Sequence, residues 1–211
     1  MKINKKIKEI NVDNFIEQYL KACGIENVEG YLNPDMLFFD DPFDYVNINE
    51  AIQVFDDHIE NKSNVGILMD SDMDGACSAA IIDMFCHEVG METKIYFHSG
   101  KQHGLHDKIE EIIQDNLSFI IIPDAGTNDV EDCKLIKEHN KQCDILILDH
   151  HEVLYENPYA TIVNNQLGNV NKALSGAGVT YKFIQAYSFS KGIAHPYYED
   201  IVAISIVSDI C

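Results

Sequence analysis

The chain has 211 residues, room for one large core, and its 46% apolar and 24% charged residues are an ordinary globular balance. A formal charge of −20 repels DNA and RNA at long range, which excludes a simple basic-patch binder and leaves a solvated acidic surface or carboxylates placed to hold cations. No apolar run reaches the roughly 18 residues of a membrane span, none follows the lysines of MKINKKIKEI, and the six cysteines form no CxxC pair; a cytosolic chain with reduced thiols and no membrane partner is expected.

In chain order, the stretch to about Cys23 reads as helical, with Phe15, Ile16, Tyr19 and Leu20 at helix-like spacing. Gly30, Asn33-Pro34 and Asp41-Pro42 mark an irregular connection between Gly24 and Asp44. A helical pattern resumes from Ile48 to Ile59. From Asn64 short apolar runs alternate with amphipathic stretches. The expected strands are VGILM (65–69), TKIYF (93–97), FIIIP (119–123), CDILIL (143–148) and TIVN (161–164). Helices are expected over about Ala76–Val89, Asp107–Asn116, Val130–Asn140, Ser175–Tyr187 and Tyr197–Ile210. Near-continuous apolar strands alternating with helices predict the α/β class. The expected architecture is a mostly parallel β-sheet with helices on both faces, preceded by a short helical N-terminal segment. Residues 1–60 are read as a lead-in packing on the core and 61–211 as the main domain.

Open α/β sheets bind ligands outside the carboxyl ends of their strands, and here the polar residues gather there. VGILM breaks into Asp70-Ser71-Asp72-Met73-Asp74-Gly75, FIIIP into Asp124-Ala125-Gly126, and CDILIL into Asp149-His150-His151. Carboxylates buried together are unfavourable unless a cation or proton neutralises them. Acids alternating on a strand end or tight turn let two side chains reach one cavity. Mixed carboxylate and imidazole donors suit Mn²⁺, Mg²⁺ or Fe²⁺. Two such ions, roughly 3.5–4 Å apart, activate a water and stabilise the leaving oxygen of a phosphoester. A lone DxDxDG also fits a calcium loop, but its twelfth position is Ile81 rather than Glu. Asp124 alone would suit a helix N-cap. Three polar strand ends at one edge favour the metal site.

The set resembles the DHH phosphoesterase family. DSDMDG (70–75) is similar to its first motif, PDAG (123–126) to the second, LDHH (148–151) to the third and SIVSDI (205–210) to the fourth. LSGAGVTYKF (174–183), YLNP (31–34) and DPF (41–43) resemble segments of the RecJ-like branch of single-strand exonucleases. The resemblance implies Asp72 and Asp74 as ligands of separate metals, with Asp70 a further ligand or a group that supports one. Asp124 would bridge the ions, and His150 would ligate one of them. His151 would ligate or touch the scissile phosphate, Asp149 would orient a histidine, and Asp209 would close the site. Asp124, His150 and His151 would be catalytic. The cofactors implied are two divalent ions, Mn²⁺ first and Mg²⁺ second.

Gly176 and Gly178, with Ser175, fit a loop whose backbone N–H groups meet a phosphate at a helix N-terminus. In FHSGKQHGLH (97–106), His98 stands where the RecJ-like branch has Arg and His103 where it has Tyr, and Lys101 offers a positive charge. His98, Lys101, His103 and His106 are therefore expected to face the substrate. The implied activity is that of a 5′–3′ single-stranded DNA exonuclease. A family member cutting oligoribonucleotides or cyclic dinucleotides is the nearest rival, and a non-catalytic replication scaffold is a third reading. The sequence stops two residues after Asp209, so a further C-terminal domain or a second polypeptide is expected to complete the cleft.

Overall fold

A computed structural model describes residues 12–33, 40–98, 100 and 103–210. The chain divides into two compact units, residues 1–40 and 41–211. In the smaller unit a 3-10 turn at Val12–Asn14 leads into α1 (Phe15–Ala22), followed by α2 (Val28–Leu32). The second helix lies within the stretch expected to be irregular. Asn27 starts it locally, its side chain accepting a hydrogen bond from Gly30 N.

The larger unit opens with a 3-10 turn at Pro42–Asp44 and α3 (Ile48–Glu60). It continues with β1 (Val65–Met69), α4 (Met73–Glu88), β2 (Thr93–Phe97), α5 (Ile109–Gln114) and β3 (Phe119–Pro123). Then come α6 (Val130–His139), β4 (Asp144–Asp149), β5 (Thr161–Asn164), α7 (Gly176–Lys191) and α8 (Glu199–Asp209). All five strands are parallel, in the order β2-β1-β3-β4-β5. The architecture is α/β, with helices on both faces. α3 contributes Ile48, Ala51, Ile52 and Phe55 to this unit's core, so the compact boundary falls before α3 rather than at residue 60.

Alternation along each strand divides the core in two. Val65, Ile67, Phe119, Ile121, Leu146, Leu148 and Val163 meet α3, α4 and α7 on one face. Leu68, Ile120, Ile122, Ile145, Ile147 and Ile162 meet α5 and α6 on the other. Successive strand side chains point to opposite faces, so a run such as FIIIP supplies both layers. Phe55 anchors the first layer, fully buried and edge-on to Phe183 and Tyr187 at 5.3 and 5.1 Å. Burial of such a ring stabilises the fold by about 1.5–3 kcal/mol.

Two helices depart from their expected ends. α4 begins at Met73, not near Ala76, because the Asp72 side chain accepts Gly75 N at 2.9 Å and caps it. α7 runs on to Lys191 and stops where Gly192 takes φ +65°. Among the described residues, no helix is long and apolar enough to cross a membrane.

The strand order places the site. The chain steps from β1 outward to β2 and then back across to β3, on the other side of β1. This reversal makes the β1/β3 boundary the topological switch point, where the loops leaving adjacent strands part and open a crevice. Asp70 leaves β1 there and Asp124 leaves β3.

Candidate metal centre

Asp124 sits in the middle of the crevice in a conformation few residues accept. Its φ is +65°, which for a residue with a Cβ is unfavourable by roughly 1–2 kcal/mol. A 2.8 Å hydrogen bond from its N–H to Leu148 O holds it there. The carboxylate is buried, and Oδ1 has no hydrogen-bond partner. His150 Nε2 approaches Oδ1 to 3.2 Å without the alignment a hydrogen bond needs. Burial first, then the charges of Asp74, Asp72 and Asp149, push its carboxyl up to about 10, against a smaller opposing pull from His151. A carboxylate in this position calls for a proton or a cation.

Asp70 and Asp74 are buried beside it, while Asp72 is exposed. Of the strand end and the tight turn that the sequence allowed, their alternation follows the turn. Asp70 ends a strand, Asp72 caps a helix and Asp74 lies in that helix's first turn. Gly75 permits this tight entry: a Cβ there would strike the Asp70 backbone and side chain.

Asp74 is the most thoroughly held of the acids. It accepts Gly176 N at 2.7 Å, Ala177 N at 2.9 Å and Ser205 Oγ at 2.6 Å. A negative charge at the N-terminus of α7 is favoured by that helix's dipole. This corrects the reading of the glycine-rich loop. The N–H groups expected to meet a phosphate are given to Asp74, and Gly178 N goes to Ser175 Oγ at 3.3 Å. Gly176 is glycine for a second reason, since a Cβ would run into the Asp124 carboxylate.

At the end of β4, Asp149 Oδ1 accepts His150 N at 2.7 Å, His151 N at 3.2 Å and His151 Nδ1 at 2.8 Å. Its Oδ2 accepts Thr127 N at 3.1 Å. Burial alone would raise Asp149, but the His151 hydrogen bond and charge, the Thr127 side chain and the His151 N–H outweigh it, leaving the carboxyl at about 2. The same hydrogen bond, donated to Asp149, raises the His151 pKa against burial. His151 is half exposed, so Nδ1 is fixed by Asp149 while the ring reaches toward solvent.

Three groups of side chains bring one donor atom each within 4.8 Å of one another. They are Asp70–Asp72–Asp124, Asp74–His150–Asp209 and Asp124–His150–His151. The first two share no residue, and Asp124 and His150 join them in the third. His150 Nε2 lies 3.7 Å from Asp74 Oδ2, and Nδ1 lies 3.9 Å from Asp209 Oδ2. An unpaired buried carboxylate oxygen, joined by carboxylates and imidazoles from β1, α4, β4 and α8, fits a pair of divalent cations.

The loop after β2 differs from expectation. His98, read as substrate-facing, has a side chain only 1% exposed, with Nδ1 2.6 Å from Asp107 Oδ1. His103 is largely exposed and its Nδ1 lies 2.6 Å from Asp70 Oδ2. His106 is 91% exposed and faces Asp132. Lys101 lies outside the described residues. A cavity of about 190 Å³ runs between this loop and the turns after β3 and β4, lined by Asp70, His103, Asp124, Asp129, Asp149 and His151.

Sequence reasoning passed over Ser205, Thr127, Asn164 and Asp107. Ser205 stands four residues before Asp209, one helical turn away, the one local sign that it shares Asp209's face. Asn164 ties Thr127 Oγ1 and His151 O together at 3.0 Å each, and nothing in the sequence marks it.

The N-terminal domain of the DHH family matches residues 64–206. The chain belongs to the DHH family. YorK of the SPbeta prophage of Bacillus subtilis, whose assignment as a single-strand DNA-specific exonuclease is itself provisional, is 32% identical over 90% of this chain and 33% of its own. The single-stranded-DNA-specific exonuclease RecJ of Bacillus subtilis is 24% identical over 99% of this chain and 27% of its own. This chain of the DHH family thus spans about a third of the length of these relatives. In three dimensions, RecJ of Thermus thermophilus in complex with Mn²⁺ superposes with a TM-score of 0.75 at 17% identity, over 91% of this chain and 28% of that one. That likeness is one of fold.

Proposed function

We propose that this chain is the catalytic part of a metal-dependent phosphodiester hydrolase of the RecJ-like type, degrading single-stranded DNA from its 5′ end. The observation that carries the proposal is the pair of disjoint donor sets, Asp70–Asp72–Asp124 and Asp74–His150–Asp209, meeting at the unpaired oxygen of Asp124. Each set would hold one divalent ion, with Asp124 between them, and the mixture of carboxylate and imidazole favours Mn²⁺ over Mg²⁺. When bound, two such ions lower the pKa of a water and offset charge on the departing oxygen.

The chain's own residues do the rest. Asp124, held by its left-handed turn, would lie beside the water that attacks the phosphorus. His151 keeps its Nδ1 proton on Asp149 and presents the other edge of its ring toward the cavity. Its raised pKa suits donation of a hydrogen bond to a phosphoryl or leaving oxygen. Asp149, low in pKa, stabilises the imidazolium. A formal charge of −20 works against long-range attraction of a nucleic-acid strand. We assign the holding of a strand to a further domain or second polypeptide. The free thiols of Cys77, Cys86, Cys133 and Cys143 suit a reducing, cytosolic setting.

The test is hydrolysis with Mn²⁺ of 5′-labelled single-stranded DNA and of bis(p-nitrophenyl) phosphate, which needs no groove. The expected result is release of p-nitrophenol, lost in Asp74→Asn and Asp124→Asn. Cleavage of dinucleotides in preference to strands would move the substrate to the rival class, and inactivity on both substrates at saturating Mn²⁺ would refute hydrolysis.

A further inference from the structure

His98 follows β2 and is sequestered rather than displayed. Its Nδ1 lies 2.6 Å from Asp107 Oδ1, the distance of a strong charge-assisted hydrogen bond. With Nδ1 engaged by Asp107, Nε2 is the ring atom that can offer a lone pair to a cation. Nε2 is buried, has no hydrogen-bond partner, and stops 3.8 Å from Asp70 Oδ1. A buried ring nitrogen with no hydrogen-bond partner beside a carboxylate oxygen is unfavourable, and a cation between the two atoms would satisfy both.

The separation suits such an ion. Ligands at roughly 2.1 Å from a six-coordinate ion stand about 3 Å apart when adjacent and about 4.2 Å apart when opposite. The 3.8 Å gap exceeds the adjacent spacing by about 0.8 Å, so a small movement of the ring brings both atoms onto one ion. Asp107 behind His98 completes a carboxylate–histidine–metal arrangement, in which the carboxylate fixes the tautomer and aims the ring. Asp70 is prepared for the same ion. Its Oδ2 is taken by His103 at 2.6 Å, while Oδ1 accepts Gly104 N at 3.3 Å and keeps a lone pair for the side facing His98; Asp70 thereby links His98 to the Asp70–Asp72–Asp124 group.

We infer that His98 is an imidazole ligand of the cation held by Asp70, Asp72 and Asp124, with Asp107 as its positioning residue. The inference rests on the proposed metal site and adds to it a donor from the β2 loop. It also explains why histidine can stand where the resemblance has arginine: an arginine here could meet a phosphate but could not bind a cation. An imidazole at this ion shifts preference from Mg²⁺, which favours oxygen, toward Mn²⁺.

The experiment is calorimetric titration of the chelator-stripped 211-residue chain with Mn²⁺ and with Mg²⁺, together with pulsed EPR of bound Mn²⁺ to count coordinated imidazole nitrogens. His98→Gln is expected to weaken Mn²⁺ binding about 10–100-fold and Asp107→Asn about tenfold. Mg²⁺ affinity should move far less, and His98→Gln should show one imidazole nitrogen fewer. His98→Asn and thermal melts in chelator separate ligand loss from misfolding. An unchanged Mn²⁺/Mg²⁺ preference and imidazole count in folded His98→Gln would overturn the inference; His98 would then be a doubly protonated counter-ion for Asp70 and Asp107. Asp124→Asn serves as the reference. If it abolishes Mn²⁺ binding while His98→Gln does not, only the role of His98 falls. If Asp124→Asn also binds normally, the metal site itself falls.

Discussion

Replacing Asp124 by asparagine removes the charge that the fold tolerates least, and asparagine accepts the left-handed φ of +65° that this position requires. In the unfolded chain the carboxyl titrates near 3.8, whereas burial and the surrounding acids raise it to about 10 in the fold. Its folded pKa is the higher, so stability is fully present below 3.8 and is lost progressively as pH rises toward 10. By pH 7 the loss covers about three pH units, an upper limit near 4 kcal/mol. Sharing of protons with Asp74 and water reaching the open cavity reduce it to about 2 kcal/mol. Asp124→Asn should therefore stabilise the metal-free chain by about 2–4 kcal/mol at pH 7 and by nothing near pH 4. Mn²⁺ should offset most of that difference: at a hundredfold excess over its dissociation constant it adds about 2.7 kcal/mol to the native chain and little to the variant. Urea unfolding followed by circular dichroism at pH 5, 7 and 8.5, in chelator and in Mn²⁺, measures both effects. A variant less stable than the native chain in chelator at every pH, or one still stabilised by Mn²⁺, would refute the reasoning.

Gly176→Ala forces a methyl group into the Asp124 carboxylate, and should lower unfolding stability by about 1–3 kcal/mol together with Mn²⁺ affinity; native values for both would mean that α7 can retreat. Asp149→Asn should let the His151 pKa fall toward 6.5, read by NMR titration of its ring protons. Because Asp149 sits at about 2 against an ordinary 3.8, its stabilising effect is present above 3.8 and lost as pH falls toward 2. The variant should thus be about 2 kcal/mol less stable at neutral pH and lose that part of its acid sensitivity. Ser205→Ala removes the 2.6 Å hydrogen bond to Asp74. It should reduce stability by about 1.5–3 kcal/mol and leave the His151 titration unchanged.

The five strands were legible because burial on both faces demands uninterrupted apolar runs, and VGILM, FIIIP and CDILIL are such runs. The acids at their ends were legible for the complementary reason: each run stops where a carboxylate begins. Element ends were less so. Asp72 reads as part of an acidic cluster, yet its side chain caps α4, and a cap is a hydrogen bond that residue type only suggests. The connection read as irregular before α3 contains a helix of one turn, too short for periodicity to register.

Local sequence thus determined the layered fold, the edge of the sheet that carries chemistry, and the residue types gathered there. Tertiary structure decided which atoms are free. The N–H groups of Gly176 and Ala177 look available in sequence, but the fold brings Asp74, about a hundred residues earlier, onto them. His98 looks exposed in a glycine-bounded loop, but Asp107 and Asp70 enclose it. Asp124 and Asp149 are the same residue type at equivalent strand ends, yet one is pushed up to about 10 and the other held at about 2. The difference lies in donors: three N–H groups and an imidazole reach Asp149, while Asp124 meets other carboxylates. Such pairings depend on distance in space, which spacing along the chain does not encode.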